Sequence, residues 1–506
     1  MCIMKREFIT LCAMALTAVT LSAQRVAWYE TTEKEPWVEK TVKMTAKSKE
    51  TPLLAVDAST EGKRPFRAWG TTFNEQDWAA MNRLKPAEQE EIMRRLFAPD
   101  GDLRFTRGRI SMNANDYALD WYSCDTVDGD FRLKYFNIEH DKATLIPLIR
   151  QAQKVYPQLT LWMSPWSPPA WMKINHDYPV LSSRHNKQPK EKDYLLYGAA
   201  DETVDPDEMK LLGDRNGVFP RRLATTDYFI QDPRYLQAYA DMFCRFIELY
   251  AEENIPIDMV MYQNEAYSYT PYPGCAWTAE GTVRFNTQYL APTLKRRHPD
   301  VKLYLGTFNT NRQDYIEKIL AAPGMVDCIE GFGEQWECRD IVQHIIAKYP
   351  QLHYICSESE CGNGSMDWKA GEHTFFLLTD NTGKGIDEYY NWNFILTDNG
   401  MSRWGWSQNA LIQVDSKTNQ YRYTAEYYAY KHFSHFVSPG SVMVGYKPRT
   451  ADDNLMEVVF RTPEGSYVVV CGNFNDEPRV VTTKVAGKFL KATLKAHSFN
   501  TMVVTF

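Results

Sequence analysis

Ile257-Asp258-Met259-Val260-Met261-Tyr262-Gln263-Asn264-Glu265 is an apolar run of strand length that ends on a carboxylate. Leu352-His353-Tyr354-Ile355-Cys356-Ser357-Glu358-Ser359-Glu360-Cys361-Gly362 repeats the design further along the chain. Packing alone gives little reason to end a buried strand on a carboxylate. Two such strand ends in one barrel face each other across a pocket, which is the arrangement that glycoside hydrolysis requires.

Outward from these two runs, short apolar segments alternate with helical patterns. Strands are expected at Phe66–Gly70, Thr106–Ser111, Thr160–Met163, Met259–Gln263, Lys302–Gly306, Cys328–Gly333, His353–Ser357 and Ser402–Ser407. Helical periodicity occupies Glu75–Leu96, Asp141–Val155, Tyr235–Glu252, Thr278–Arg297, Arg312–Ala321, Arg339–Tyr349 and Gly385–Leu396. Eight strands with intervening helices predict a (β/α)8 TIM barrel. No Gly-rich turn follows the first strand, which sets dinucleotide binding aside.

From Ser438 the period shortens. Ser441–Tyr446, Leu455–Arg461, Ser466–Cys471, Arg479–Lys484 and Ala496–Phe506 read as antiparallel strands, with a turn at Pro463-Glu464-Gly465. The strand-like stretch from Ala27 to Ala46 completes them, so an accessory antiparallel β-sandwich domain built from both chain ends is expected. The predicted division is a signal peptide over 1–23, N-terminal strands joining the sandwich over 24–60, the catalytic barrel over 61–436 and the sandwich over 437–506. The charged stretch His176–Asp232 is too long for an ordinary βα loop and reads as an insertion at the barrel mouth.

Lys5-Arg6 precede an apolar stretch from Phe8 to Leu21, followed by the small-residue site Leu21-Ser22-Ala23. This is the pattern of a secretory signal peptide, implying export to a periplasmic, cell-surface or extracellular location. No later stretch is long and apolar enough for stable membrane insertion. The formal charge of -7 gives no bias toward nucleic acid. The ten cysteines lack CxxC pairs, and the ten histidines lack an HExxH, so neither a metal nor another cofactor is expected. Fourteen Trp and thirty Tyr suit a sugar-binding protein, although a large core uses them too. The oligomeric state stays open.

Glu265 suits a general acid, whose raised pKa comes from burial. Asn264 beside it can contact a sugar hydroxyl only if the strand end is irregular, since alternation turns neighbours apart. Glu358 and Glu360 share a face by alternation; Glu358 directly follows the apolar run and is preferred as nucleophile. Trp162-Met163-Ser164-Pro165-Trp166-Ser167-Pro168-Pro169-Ala170-Trp171 is a proline-stiffened aromatic loop, with Trp166 assigned to the pocket and Trp171 to the core. Arg109, Asp116, Glu75, Gln335-Trp336-Glu337, Trp404 and Trp406 are further rim candidates by their placement near strand ends.

Taken together, these motifs resemble glycoside hydrolase family 30, the glucosylceramidase-like group. The elements are Arg109-Ile110-Ser111-Met112 with Asp116, Ser164 to Lys173, Asn264-Glu265 with Tyr272-Pro273 and Trp277 to Glu280, and Ser357-Glu358. The resemblance implies a retaining mechanism with Glu265 as acid/base and Glu358 as nucleophile. It places Arg109, Asp116, Trp166 and Asn264 at the sugar subsite, and Trp336 and Trp404 are added as substrate-binding candidates. The expected function is a secreted retaining β-glycosidase acting on β-glucosidic bonds, in β-glucan such as β-1,6-glucan or in glucosylceramide-like glucosides. β-Xylosidase or β-fucosidase activity, or carbohydrate binding without catalysis, are the alternatives.

Overall fold

The computed structural model describes residues 25–57, 62, 64–192 and 227–506. The predicted signal peptide and residues 193–226 of the predicted insertion lie outside the described residues.

Eight parallel strands close into a barrel. They are β1 (Ala68–Thr72), β2 (Arg107–Met112), β3 (Thr160–Pro165), β4 (Ile257–Met261), β5 (Lys302–Phe308), β6 (Gly331–Gln335), β7 (His353–Glu358) and β8 (Glu388–Asn391). β8 closes the ring on β1 through the register Glu388↔Ala68 to Asn391↔Thr71. Helices on one side and the barrel interior on the other leave β1, β6 and β8 buried along their whole length. Double burial is also why a strand such as β5, buried from Leu303 to Phe308, reads as an apolar run instead of an alternating one. Trp162, Met259, Met261, Tyr304, Ile355 and Tyr390 fill the barrel interior. Gly333 lets the Met261 thioether pack close, since a Cβ there would lie 2.7 Å from it.

The eighth strand differs from expectation. Gly385–Leu396 was read as helix and Ser402–Ser407 as strand; the helix is Trp368–Lys384, and Gly385 ends it at φ +101. β8 follows at once. Its acidic opening hides it, because Glu388 is buried in a strand only four residues long. Arg67 at 3.3 Å and Arg107 at 3.6 Å pair with that carboxylate, and Tyr390 donates to it at 2.6 Å. Ser402–Ser407 lies in the loop after β8, closed by a Met401↔Ser407 bridge. The expected helix Glu75–Leu96 is two helices, Glu75–Met81 and Pro86–Phe97, because Pro86 begins a new first turn.

The sandwich draws on both chain ends. Its six-stranded sheet runs Val442–Lys447, Leu455–Arg461, Tyr467–Asn473, Ser498–Thr505, Arg25–Thr32 and Val38–Lys40 in spatial order. The second sheet contains Lys488–Leu494, a strand that the sequence reading did not separate. It follows Arg479–Val485 through Ala486-Gly487, both at positive φ, the two-residue turn that matches strand twist. His432 ties the sandwich to the barrel's last helix: its ring nitrogens lie 2.9 Å from Thr31 Oγ1 and 2.9 Å from Thr501 Oγ1.

Candidate active site

Just past the end of β4, the chain turns. Glu265 has φ +48, in the left-handed region that non-glycine residues seldom occupy. Its N–H donates to Thr307 O at 3.0 Å, and the Asn264 N–H donates to Pro165 O at 2.7 Å. This turn breaks the alternation, so Asn264 and Glu265 line the same cavity. β7 delivers Glu358 to that cavity directly, as its last residue.

The cavity has a volume of about 440 Å³ and is walled by Asp116, Trp166, Tyr272, Trp336 and Trp406 together with the two glutamates. That is ordinary for a small-molecule site. A larger cavity of about 550 Å³ lies at the opposite end of the barrel, against Phe66, Leu352 and Phe460, and holds none of the predicted site residues. Size therefore does not locate the chemistry; the paired carboxyls do.

Arg109 organises the floor. It is fully buried. Nη1 donates to Glu358 Oε2 at 2.8 Å and to Ser357 O at 3.1 Å, and Nη2 donates to Asn264 Oδ1 at 2.7 Å and Ser164 Oγ at 3.1 Å. Its guanidinium lies 4.4 Å from the Trp166 ring and 4.7 Å from the Trp162 ring. Trp166 stacks on Trp392 with centroids 5.2 Å apart. Arg109 thus sits behind the cavity wall and holds Glu358 and Asn264. Asn264 Oδ1 also accepts from Thr307 Oγ1 at 2.8 Å, which leaves its amide nitrogen for a ligand.

Three carboxyls share this one guanidinium. Burial and then the nearby Glu358 raise Glu265 to about 7. Burial, Glu358 and Glu265 hold Asp116 well above the usual carboxylate range. Burial raises Glu358 as well, but Arg109 and the Trp336 indole pull it back. Only Glu358 touches the cation, which favours ionisation at Glu358 over Glu265 and Asp116. The Trp336 N–H donates to Glu358 Oε1 at 3.3 Å from a residue at φ +52. Asp116 Oδ1 has no protein partner among the described residues and lies at the cavity wall.

Other candidates lie elsewhere. Glu360 is bound by His373 at 2.8 Å and Arg339 at 3.5 Å, outside the cavity lining. The chain leaves the barrel after Glu358, so the alternation that made the two acids equivalent ends there. Trp404 is 1% exposed, its N–H on the Tyr178 hydroxyl at 3.4 Å, and does not line the cavity; Trp406 does. The reason is the loop conformation: strand alternation does not hold over 402–407. Glu75 contacts His140 at 2.7 Å and accepts the Leu119 N–H at 3.0 Å, bracing the loop that carries Asp116.

Some wall residues escaped the sequence reading. Asn309, just past β5, lines the cavity. The strand-end rule applied to β4 and β7 would have found it. Tyr272 donates to Glu265 Oε2 at 3.2 Å and Gln335 Nε2 donates to Glu265 Oε1 at 2.9 Å. Both stand in motifs noted above, but nothing in the sequence shows that they converge on one carboxyl.

A TIM barrel with two buried glutamates at the ends of β4 and β7, one on a cation and one kept protonated, defines a carbohydrate-cleaving hydrolase. Comparison with known proteins makes this specific. Residues 66–192 and 229–437 match the glycosyl hydrolase family 30 TIM-barrel domain, and residues 440–502 match the family 30 beta sandwich domain. The chain belongs to glycosyl hydrolase family 30 and is a glycosidase of the retaining class. It is 24% identical to putative glucosylceramidase 1 of Caenorhabditis elegans over 83% of this chain and 76% of that one. It is 21% identical to the endo-1,6-beta-D-glucanase neg1 of Aspergillus fumigatus over 90% of this chain and 88% of that one. In fold it is similar to SrfJ from Salmonella typhimurium, with a TM-score of 0.79 at 21% identity, over 95% of this chain and 99% of the other.

Proposed function

We propose that this chain is an exported enzyme that cleaves β-1,6-linked glucan or its oligosaccharides by double displacement, with Glu358 as nucleophile and Glu265 as acid/base. The observation that carries the roles is the position of Arg109. Its guanidinium touches Glu358 and not Glu265, which suits an ionised nucleophile beside a protonated acid. Glu358 attacks the anomeric carbon while Glu265 protonates the departing oxygen; Glu265 then takes a proton from the water that releases the sugar. Trp166 offers an aromatic wall to the sugar ring, while Asn264 and Asp116 offer hydrogen-bonding groups to its hydroxyls.

The cavity rim favours a hydrophilic leaving group. Of the lining residues that reach solvent, Glu337, Asn363 and Ser407 are polar, beside the half-buried Trp336 and Trp406. Such a rim suits another sugar better than a lipid, which favours a glucan over glucosylceramide. The β-1,6 linkage is named for the fungal relative and is the first to assay. Export rests on the signal-peptide pattern, and the secreted protein would begin after Ala23.

Two assays test this reading. Purified enzyme should release glucose or short gluco-oligosaccharides from β-1,6-glucan and little from β-xylan; the reverse preference would overturn the substrate. Glu265→Ala should keep glycosylation by aryl glucosides with good leaving groups and be rescued by azide. Equal loss on all leaving groups without rescue would remove Glu265 from the acid/base role.

A further inference from the structure

Gln335 is fully buried at the end of β6 and does not line the cavity, so it touches the acid/base without touching substrate. Its Nε2 donates to Glu265 Oε1 at 2.9 Å and faces Asn264 Oδ1 at 3.5 Å. Its Oε1 accepts from Ser357 Oγ at 3.0 Å. Asn264 Oδ1, which already accepts from Arg109 and Thr307, sets the amide's direction: only its nitrogen can face that oxygen. The other oxygen of Glu265, Oε2, meets the Tyr272 hydroxyl at 3.2 Å. An amide N–H only donates, whereas a phenol both donates and accepts.

From this asymmetry we infer that Gln335 is a positioning residue that assigns the transferable proton of Glu265 to Oε2. Oε1 is kept as the acceptor of an N–H in every protonation state. Oε2 carries the proton in the free enzyme, and the Tyr272 hydroxyl tolerates it there or absent. In the first step the Glu358–C1 bond forms and the bond from C1 to the leaving oxygen breaks, and the Oε2 proton passes to that oxygen. In the second step the water–C1 bond forms, the Glu358–C1 bond breaks and a water proton returns to Oε2. Between the two steps Glu265 is an anion, and the Gln335 N–H then stabilises it most. Ser357, beside the nucleophile, shares its hydroxyl between Glu334 O and Gln335 Oε1 and so helps to hold the amide in place.

The inference rests on the acid/base reading of Glu265, and its test separates the two. Gln335→Met keeps the length and removes the donor. The groups facing Glu265 remain: Glu358 from β7, Asp116 from the loop after β2, Arg109 from β2, and Tyr272 and Ser268 from the loop after β4, with Glu337 elsewhere on the cavity lining. Loss of a hydrogen bond to the anion raises the titration of Glu265, so the basic limb of kcat/KM should move up by about one pH unit. With an aryl glucoside whose leaving group needs no acid, release of the glycosyl-enzyme needs Glu265 ionised, so the acidic limb of that step should move up by about one pH unit as well. Ser357→Ala, which frees the amide and leaves Gln335 in place, should shift the limb in the same direction by less, and it carries the test if Gln335→Met does not fold. A basic limb that stays in place in the folded variants, with a uniform loss at all pH values, would overturn the inference. If Glu265→Ala is rescued by azide while that limb does not move, only the inference fails; without rescue, the acid/base reading itself fails.

Discussion

Arg109→Met removes the one cation that, among the described residues, touches the carboxyl cluster. In the native site the guanidinium makes four hydrogen bonds, to Glu358, Ser357, Asn264 and Ser164, from a fully buried position. Without it the Glu358 carboxylate is buried with no counter-ion, beside Glu265 and Asp116. Leaving one partner of a buried ion pair uncompensated costs about 3–5 kcal/mol. The group meets that cost by protonating, so the ionised nucleophile becomes scarce at neutral pH and kcat/KM falls by up to roughly a hundred- to several-thousand-fold. The sign follows: the carboxyl's pKa rises, so the acidic limb of the rate profile moves to higher pH. Arg109→Lys keeps the charge but cannot reach acceptors on both sides of a planar fork, so its loss should be intermediate. The assay is kcat/KM for an aryl β-glucoside across pH, with circular dichroism to show that the variants fold. Folded Arg109→Met with activity within tenfold of the parent and an unmoved acidic limb would refute the reasoning.

The two tryptophans after β8 should separate cleanly. Trp406→Ala should raise KM by about tenfold with little change in thermal midpoint, because Trp406 is a wall of the cavity, half-buried against Tyr272. Trp404→Ala should destabilise by about 3–5 kcal/mol, because it empties a buried site; thermal melts and KM values read both. Glu334 is buried on β6, and burial raises it to about 8. Its folded pKa exceeds the unfolded one, so the unfolded state releases its proton first and stability falls as pH rises from about 4.5 toward 8. Glu334→Gln should therefore raise the midpoint more at about pH 8 than at about pH 5, by a difference of roughly 2 °C or more.

The first seven barrel strands were legible because strands buried on both faces leave continuous apolar runs. β8 was not, because Glu388 is neutralised by Arg67 and Arg107, which are remote in sequence. The pairing that makes an acidic residue acceptable in the barrel floor is visible only when the barrel closes. The strand Lys488–Leu494 was hidden because Ala486-Gly487 is a weaker turn signal than Asn-Gly. At the site, Glu265 and Glu358 were found from their place after apolar runs. That Asn264 and Glu265 share one cavity depends on a left-handed turn at a glutamate, which no propensity favours. The choice between Glu358 and Glu360 needed the path of the chain after β7. Trp404 and Trp406 were both expected at the rim from a strand over 402–407; that segment is a loop, which buries Trp404 and leaves Trp406 on the cavity.

The central claim is that Glu358 forms the covalent bond to the sugar. A 2-deoxy-2-fluoro-β-glucoside with a good leaving group should trap that intermediate, since the fluorine slows its breakdown more than its formation. Digestion and mass spectrometry of the trapped enzyme should place one fluoroglucosyl group on Glu358, and Glu358→Gln should take none. A label on Glu360 or Glu265, or turnover that inverts the anomeric centre without any label, would contradict the account.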